Sequence, residues 1–447
     1  VGVVVVVLVM SATMRHRRSR HHPVVPANVL AVLAGGRPSQ TSGMANRMRI
    51  VHDERVSSTL TAQRVASDVE VLARGGLDVA TFLAEADVSI GRAVPHVGAC
   101  YATMDPATQL LTSTFKFGDL RGRDERDDEW GEIEYGSIEP TAFQVLARQP
   151  VPAAGSHAST SGDVVASRRM REYMLPYFDY ADELRTVART ESHTWGGVAL
   201  FRGADDRPFD ANEIGFMASL SAMLAAGLRT GILVELGSSG SIADHGGPAV
   251  IIVDADNQVN QISVGAELRL EQMVSGTTQT GALSTIWALA SRARAHADGR
   301  VALPPRIRVR AADGTWLVLH GAPMTGRSGA TGDVVITIEE ARPVEVAPLV
   351  MAAIDLTPRE RDVTRLVLQG LDTKAIAAAL NLSAYTVQDH LKAVFAKADV
   401  RSRRELLARL YGDRHTPGLA EDIAPLGWLP PEDVVPASGP RHLRGRG

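Results

Sequence analysis

The sequence predicts an α+β protein of several domains, in which two mixed regions of strands and helices precede an all-α C-terminal unit. Three observations support this prediction. The chain has 447 residues, enough for two to four domains. Short apolar runs between turn residues, typical of antiparallel strands, recur within residues 97–341. Residues 357–411 instead show apolar residues at helical spacing, with capping residues in front of three of the helices.

The composition and the single cysteine limit the class of protein. Hydrophobic residues make up 45% of the chain and charged residues 22%, which is ordinary for a soluble globular protein. Cys100 is the only cysteine, so one chain can form neither an internal disulfide nor a cysteine-based metal site. Its position in the apolar stretch VGACYATMD predicts an inert core thiol. We therefore expect a protein of the reducing cytoplasm.

The two ends of the chain are expected to be disordered. The N-terminal stretch VGVVVVVLVM is apolar over about ten residues, too short to span a bilayer. Positive charges follow this run, whereas a secretory signal carries them in front of it. We expect residues 1–48 to be disordered and the gene start to be over-extended, with Met44 or Met48 as the true start. Residues 413–447 are rich in Pro and Gly and are expected to form a disordered tail. No later segment is expected to cross a membrane.

The first mixed region covers residues 53–236. It begins with a helical pattern, continues with two strands around the turn DPAT, and ends with the long helix DANEIGFMASLSAMLAAGLRTGILVELG. Asp210 and Glu213 are placed to form the capping box of this helix. Its apolar stripe predicts packing in the chain's own core or, alternatively, against a partner chain as well. The acidic segment 118–136 has few large apolar residues, and we expect a mobile, solvated loop there.

The second mixed region covers residues 245–343 and overlaps the end of a Gly/Ser linker, SSGSIADHGG. The stretch PAVIIVDADNQVNQIS predicts two strands around a turn. After a helical segment, Asp313-Gly314 marks a hairpin turn between two further strands, and DVVITIEEA supplies a fifth. These five strands predict an open antiparallel sheet that helices cover on one side. The following RPVEVAPL is expected to be a proline-bearing linker.

The C-terminal unit carries clear helix-start and helix-end signals. Thr357, Asp372 and Ser383 are each placed to cap a helix, and Glu360 stands three residues after Thr357 as in a capping box. Gly370 is placed to end the first of these helices in a left-handed conformation. Together with SRRELLARLY these signals predict four short helices. The second and third are joined by about three residues, as in a helix-turn-helix.

The third helix of this unit has one apolar and one polar side. Its apolar residues recur at helical spacing and predict the side that faces the core: Val387, Leu391, Val394 and Phe395. The opposite side carries residues whose hydrogen-bonding groups match base edges in a DNA major groove: Tyr385, Gln388, Asp389 and Lys392. Gln can pair with adenine, Asp can accept from cytosine, and Lys can reach guanine. We predict that these four side chains read bases.

Residues suited to phosphate contact surround this polar side. They are Lys374, Ser383, Thr386, Lys397, Arg401, Arg403 and Arg404. Residues 356–411 carry ten Lys or Arg and six Asp or Glu, whereas the whole chain has a net charge of −4. A basic unit on an acidic body is expected of a protein that binds nucleic acid. The alternative is a small helical bundle whose polar side is merely solvated.

The C-terminal segment resembles a known family. The residues LTPRERDVTRLVLQGL and KAIAAALNLSAYTVQDHLKAVFAKADVRSRREL are similar to the LuxR-type helix-turn-helix domain of bacterial transcription regulators, over residues 354–412. The resemblance implies a DNA-binding domain within residues 350–412, with Ser383–Lys397 as recognition helix. It places base reading on Gln388, Asp389 and Lys392, and suggests dimers on inverted repeats. The sequence departs from the family at Ala375, where Glu is frequent, and at Gln388 and Asp389, so the target sequence stays open.

The mixed regions resemble two signalling folds. GACYATMDPATQL and TWGGVALFRGADDRPFDANE are similar to a GAF domain, which implies an α/β sensor domain with flanking helices over residues 53–236. VIIVDADNQV is similar to a PAS domain and implies an antiparallel sheet domain over residues 245–343. Both resemblances imply modules that bind a small molecule or hold a dimer together.

These resemblances predict a cytoplasmic, sequence-specific transcription regulator and not an enzyme. The expected partners are double-stranded DNA, an unidentified small-molecule effector and a second copy of the chain, with RNA polymerase as a further candidate. No cofactor or metal ligand set is indicated. One alternative is a GAF-fold enzyme of the sulfoxide reductase type, although one cysteine argues against it because that chemistry needs two or more. Another is a dimerising scaffold that binds no ligand.

Overall fold

The computed structural model describes residues 59–124, 126–136, 139–236, 248–273, 282–327 and 329–411. The expectations for residues 1–48, for the Gly/Ser linker and for the tail at 413–447 lie outside these ranges.

The first sheet has five antiparallel strands in the order β2-β1-β5-β4-β3. The turn between the first two strands is the predicted DPAT turn, in which Asp105 Oδ1 accepts a hydrogen bond from the Ala107 amide at 2.9 Å. The strands are β1 (Gly98–Met104), β2 (Leu111–Gly118), β3 (Ala153–Gly155), β4 (Tyr180–Arg189) and β5 (Thr194–Gly203).

This sheet shares a core with several helices, among them α1 (residues 59–74), α2 (Val79–Ile90) and α7 (Ala211–Leu236). The predicted capping box of α7 is confirmed, because the Glu213 amide donates to Asp210 Oδ1 at 3.0 Å and the Asp210 amide to Glu213 Oε2 at 2.9 Å. Within the described ranges, α7 is the one helix long and apolar enough to span a membrane by length and composition. Its Met217, Leu220 and Leu224 are buried in the shared core.

Short helical segments join the remaining strands of the first sheet. They are α3 (Asp127–Gly136), α4 (Phe143–Leu146), α5 (Ser156–Ser159), a 3₁₀ turn (Val164–Ala166), a π turn (Met170–Met174) and α6 (Leu175–Phe178). Helix α3 corrects the expectation of a mobile loop at 118–136. Acidic residues fill its first turn, where the helix dipole favours them. Ile133 and Tyr135 are buried, so the few apolar residues of the segment suffice to hold the helix in place.

The second sheet has the predicted five antiparallel strands, in the order β7-β6-β10-β9-β8. The predicted hairpin turn is confirmed, because Gly314 has φ +86° and its amide donates to the Ala311 carbonyl at 2.9 Å. The strands are β6 (Ala249–Val253), β7 (Val259–Ile262), β8 (Arg306–Arg310), β9 (Trp316–Gly326) and β10 (Gly329–Glu340). Between the second and third of these strands lie α8 (Ala266–Gln272) and α9 (Leu283–Ala297), and α9 contacts β9 and β10.

The two sheets share one hydrophobic core, which includes buried residues of both. Helix α3 packs on α9 so closely that a Cβ atom at Gly131 would lie 3.2 Å from the Ala288 amide nitrogen. A buried ion pair also joins the sheets, with Arg308 Nη2 2.7 Å from Asp105 Oδ1 and Arg308 Nε 2.8 Å from Asp105 Oδ2. The described parts of the two regions therefore pack as one body.

Helix α10 (Pro343–Ala353) follows the second sheet and corrects the expectation of a linker at RPVEVAPL. Pro343 occupies the first turn, where a missing N–H costs nothing. Pro348 lies inside the helix and removes one backbone hydrogen bond. Burial of Val346, Ala347 and Val350 in the core shared with the C-terminal helices offsets that loss.

The C-terminal unit has the four predicted helices, which are α11 (Pro358–Leu368), α12 (Thr373–Leu380), α13 (Ala384–Lys397) and α14 (Arg403–Tyr411). Their core continues into α10, which packs on α14 and on α7. The unit is therefore joined to the first sheet through two packed helices.

Candidate DNA-binding site

The predicted caps fix where the helices of this unit begin and end. The Thr357 hydroxyl accepts from the Glu360 amide at 3.3 Å, and the Thr357 amide donates to Glu360 Oε2 at 2.8 Å. Asp372 Oδ1 accepts from the Ala375 amide at 2.7 Å, so the cap persists without the Glu that the family often has there. Gly370 has the expected positive φ of +82°. These four predictions are confirmed.

The turn between α12 and α13 is set by two residues. Asn381 adopts a left-handed conformation with φ +53°, which Asn tolerates better than most residues, and this ends α12. Ser383 Oγ then accepts from the Thr386 amide at 3.0 Å and starts α13. The two helices are thereby held in a helix-turn-helix arrangement.

One side of α13 is locked into the core. Val387, Leu391 and Val394 are buried as predicted, in one cluster with Ile376 of α12 and Val363 of α11. Phe395 is half-buried and packs against the same cluster. Rotation of α13 about its axis would expose this stripe, so the orientation of the opposite side is determined by the core.

The opposite side of α13 is open to solvent. Tyr385 is 71% exposed, although a large aromatic residue is ordinarily half-buried or more. Gln388, Asp389 and Lys392 are exposed too. At about 100° per residue, these four side chains point within about 50° of a common direction. The structure thus brings all four predicted base-reading residues onto one exposed surface, which we call the reading face.

An ion pair lies within the reading face. Lys392 Nζ is 3.3 Å from Asp389 Oδ1, and both side chains are largely exposed. Such an exposed pair contributes little to stability, about 0–1 kcal/mol, and can open when a better partner arrives. Asp389 and Lys392 are therefore available to hydrogen-bond base edges.

The predicted phosphate-contacting residues fall into three groups, one of which ties helices of the unit together. Lys374, Arg401 and Arg404 are exposed. Ser383 and Thr386 lie at the start of α13, where their hydroxyls are 2.9 Å apart. A helix start presents unpaired backbone N–H groups, which favour phosphate oxygens. Contact of these residues with phosphate stays a prediction.

Lys397 and Arg403 have structural partners instead. Lys397 Nζ lies 2.6 Å from Glu360 Oε2 and 3.1 Å from the Asp355 carbonyl oxygen. Arg403 donates from Nη1 to the Leu371 carbonyl at 2.7 Å and from Nη2 to Thr373 Oγ1 at 2.9 Å. Both side chains hold helices of the unit together, and their predicted contact with phosphate is untested.

Sequence reasoning missed a third contact of this kind. Arg359 Nη2 donates to the Leu380 carbonyl at 3.1 Å and ties α11 to the end of α12, immediately before the helix-helix turn. The pairing joins residues 21 positions apart. Local spacing rules do not reach that far, so no pattern along the chain indicates this contact.

The first sheet holds a second polar cluster, around a small cavity of about 40 Å³ that Cys100, Lys116 and Tyr173 help to line. Burial raises the pKa of the Cys100 thiol to about 12, in agreement with the predicted inert thiol. Lys116 Nζ lies 2.7 Å from Asp127 Oδ1, so the buried charge is paired. Within the described ranges, no group of three or more His, Cys, Asp or Glu side chains could hold a metal ion.

Residues 355–410 match the family model described as bacterial regulatory proteins, luxR family. A helix-turn-helix-type transcriptional regulator of Aeromonas salmonicida is 55% identical over 51 residues, which are 11% of this chain and 26% of that protein. The nitrate/nitrite response regulator protein NarL of Escherichia coli (strain K12) is 41% identical over 59 residues, 13% of this chain and 27% of NarL.

Two solved structures align with this chain at low TM-scores. The phage VqmA-DPO complex aligns with a TM-score of 0.20 and 18% identity over 38% of this chain and 87% of that one. The E. coli DhaR(N)-DhaL complex aligns with a TM-score of 0.21 and 12% identity over 64% and 90%. Superpositions at these TM-scores do not establish a common fold.

The resemblance of the C-terminal unit is confirmed: it is a helix-turn-helix domain of the luxR family of bacterial regulatory proteins. The chain spans only about a quarter of the length of the two relatives named above. The luxR-family match therefore describes residues 355–410 and carries no statement about the two sheets.

Proposed function

We propose that this protein is a cytoplasmic, sequence-specific transcription regulator that binds double-stranded DNA through α13. The observation that carries the proposal is the reading face, an exposed polar surface on a helix whose other side is locked in the core. A major groove admits one α-helix, and the groups on this face match base edges. The luxR-family match of the same residues supports the proposal.

The predicted residues have separate roles in this proposal. Gln388, Asp389, Lys392 and Tyr385 contact bases and determine the sequence that is bound. Lys374, Arg401 and Arg404 contact phosphates, which sets the position of the domain on the duplex and the dependence on salt. Dimeric binding to an inverted repeat, and contact with RNA polymerase, belong to the proposal as well.

The two sheets are proposed to be a GAF-like and a PAS-like module that sense a small molecule, hold a dimer together, or both. Both are five-stranded antiparallel sheets with the same strand order, which supports treating them as a related pair. Their shared core supports a common response to one effector. Catalysis is not part of the proposal. The thiol on which a reductase would depend is half-buried, and its pKa is raised to about 12.

Selection of bound duplexes from a random pool tests the proposal. One enriched sequence, with two inverted half-sites, is the expected result. Binding of the full chain to that duplex and to a scrambled one is then followed by fluorescence anisotropy over a range of salt concentrations. Gln388→Ala and Lys392→Ala are each expected to weaken binding to the selected duplex by about 1–3 kcal/mol.

The phosphate positions supply the contrasting set of variants. Lys374→Met and Arg401→Ala are expected to weaken both duplexes alike and to reduce the salt slope by about one each. Arg121→Ala, an exposed arginine of the first mixed region, is the control and should change nothing. Equal and feeble binding of every duplex at low and high salt would contradict the proposal.

A further inference from the structure

A cavity of about 310 Å³ opens where the two sheets meet α10. Phe115 of the first sheet, Trp316 of the second sheet and Leu349 of α10 all line it. Residues at the start of α2 and the end of α7, Asp78 and Glu235, complete the wall. Small-molecule sites typically begin at about 300 Å³ and lie preferentially at junctions of this kind.

One buried ion pair at the cavity wall is already neutral. Asp105 and Arg308 form two short hydrogen bonds, and the third nitrogen of Arg308, Nη1, donates to the Glu345 carbonyl at 3.0 Å. Their charges cancel, and each of the three guanidinium nitrogens donates a hydrogen bond inside the wall. The pair therefore adds no net charge to what a ligand would meet.

The remaining charges of the wall are mainly negative. Asp78, Glu235 and Asp313 stand against one cation, Arg310, whose Nε lies 3.8 Å from Glu235 Oε2. Two of these carboxylates are neighbours, since Glu235 Oε1 accepts from the Val79 amide at 3.2 Å and Asp78 precedes that residue. Burial raises the pKa of Glu235, and the nearby Asp78 adds to the rise against the opposing effects of the Val79 amide and Arg310. A positive charge placed there would relieve this excess.

An apolar surface lies beside the carboxylates. Phe115 and Leu349 are buried, and the half-buried Ile232 and Trp316 also line the cavity. Aromatic faces attract cations as well as apolar groups. The wall thus combines an acidic end with an apolar, partly aromatic side.

We propose that this cavity is the effector site and that its ligand is a small organic amine. The ammonium group would lie between Asp78 and Glu235, and an apolar or aromatic body would pack on Phe115 and Trp316. This inference rests on the proposed function in one respect, that the two sheets sense a small molecule. It names the class of that molecule and its place.

The position of the cavity gives the ligand a route to the DNA-binding unit. Leu349 belongs to α10, which leads into α11, and the carbonyl of Trp316 accepts from the Ala341 amide at 2.7 Å just before α10 begins. Trp316 also packs against the core of the C-terminal helices. A bound amine therefore touches the element that connects the sheets to α13.

Titration calorimetry with the full chain tests the proposal with three probes of similar shape: phenethylamine, phenethyl alcohol and hydrocinnamate. The amine is expected to bind saturably below about 10 mM, and the neutral and anionic probes at least about tenfold more weakly. No saturable binding of the amine up to that concentration overturns the proposal, as does equal binding of the three probes.

Variants locate the site. Glu235→Gln and Asp78→Asn remove one charge each, and Asn remains a good N-cap residue at position 78. Each is expected to weaken amine binding at least about tenfold, or ~1.4 kcal/mol. Ala312→Trp places a large side chain at the exposed rim of the cavity and should block binding. Asp205→Asn changes an exposed carboxylate elsewhere and should leave binding intact. Amine binding that survives all three cavity variants overturns the assignment.

DNA binding by the same proteins separates this inference from the proposed function. A wild-type protein that recognises the selected duplex but does not bind the amine would overturn the effector site alone. Amine binding that is intact in a protein unable to distinguish duplexes would overturn the regulator alone. Circular dichroism of each variant ensures that a loss of binding is not a loss of fold, and the isosteric Glu235→Gln keeps the test decisive if Ala312→Trp does not fold.

Discussion

Lys397 Nζ lies 2.6 Å from Glu360 Oε2, so the last turn of α13 is tied to the first turn of α11. The same carboxylate oxygen accepts from the Thr357 amide at 2.8 Å and completes a helix cap. Burial of Glu360 opposes ionisation, but the bonds from Lys397 and Thr357 outweigh it and lower its pKa. Lys397, which the sequence predicts to contact phosphate, thus also holds α13 against α11.

We predict that Lys397→Met lowers the free energy of unfolding by about 0.5–1 kcal/mol, because the pair is only partly buried. Urea titration measures this. The salt slope of DNA binding should stay as in wild type if the role is structural. Lys374→Met is the matched comparison, with unchanged stability and a slope reduced by about one. The opposite pattern for the two lysines would restore phosphate contact to Lys397.

Asp389→Asn should change base preference without changing stability. Its exposed pair with Lys392 contributes little, so unfolding should shift by less than about 0.5 kcal/mol. A carboxylate accepts from cytosine, whereas an amide can pair with adenine, so selection with the variant should yield a different base at one position of each half-site. An unchanged selected sequence would remove Asp389 from the reading face's contacts.

Stability should depend on pH through His193. Burial, and then the positive charges of Arg361 and Arg229, lower its pKa from 6.5 to about 4. Between these values the folded chain binds fewer protons than the unfolded chain, so stability rises with pH across the window and is lost as pH falls. His193→Gln should remove about 1–3 kcal/mol of this loss between about pH 7 and pH 4. Urea titrations at both pH values measure the free energy of unfolding, and His296→Gln, a change at an exposed histidine, is the control. An identical pH dependence of stability in His193→Gln and wild type would contradict the prediction.

Asp105→Asn should strongly destabilise the body formed by the two sheets. The change leaves the fully buried Arg308 without its counter-charge, at a cost of about 3–5 kcal/mol. Glu70→Gln, which breaks the exposed pair with Arg74, should cost less than about 1 kcal/mol. Thermal unfolding compares the two. A small effect at position 105 would mean that Arg308 finds another partner or is hydrated.

The contact between α3 and α9 can be tested with two glycines. Gly131 and Gly215 both lie inside helices, but only a side chain at 131 would meet another helix. Gly131→Leu should therefore destabilise the protein by about 1–3 kcal/mol. Gly215→Leu should stabilise it slightly, by up to ~1 kcal/mol, through helix propensity. Equal effects in denaturant titrations would show that α3 does not pack on α9 in solution.

The C-terminal unit was predictable because its signals are local. Caps three residues from their targets and an apolar stripe at helical spacing are enough to place α11, α12 and α13. Helix α3 could not be predicted, because its few apolar residues indicate a helix only when the packing of α9 against them is known. Helix α10 could not be predicted because it contains two prolines, which ordinarily indicate a linker. The pairing of Asp105 with Arg308 joins residues 203 positions apart, and no periodic pattern in the sequence predicts it.

The shared core of the two sheets limits how such a protein can be rearranged. A hybrid protein that kept the first sheet and the DNA-binding helices but lacked residues 249–340 would expose α3 to solvent. It would also leave the buried Asp105 without the Arg308 guanidinium with which it pairs. Exchange of the regions that precede the DNA-binding helices, between proteins of this build, should therefore succeed only when both sheets are transplanted together.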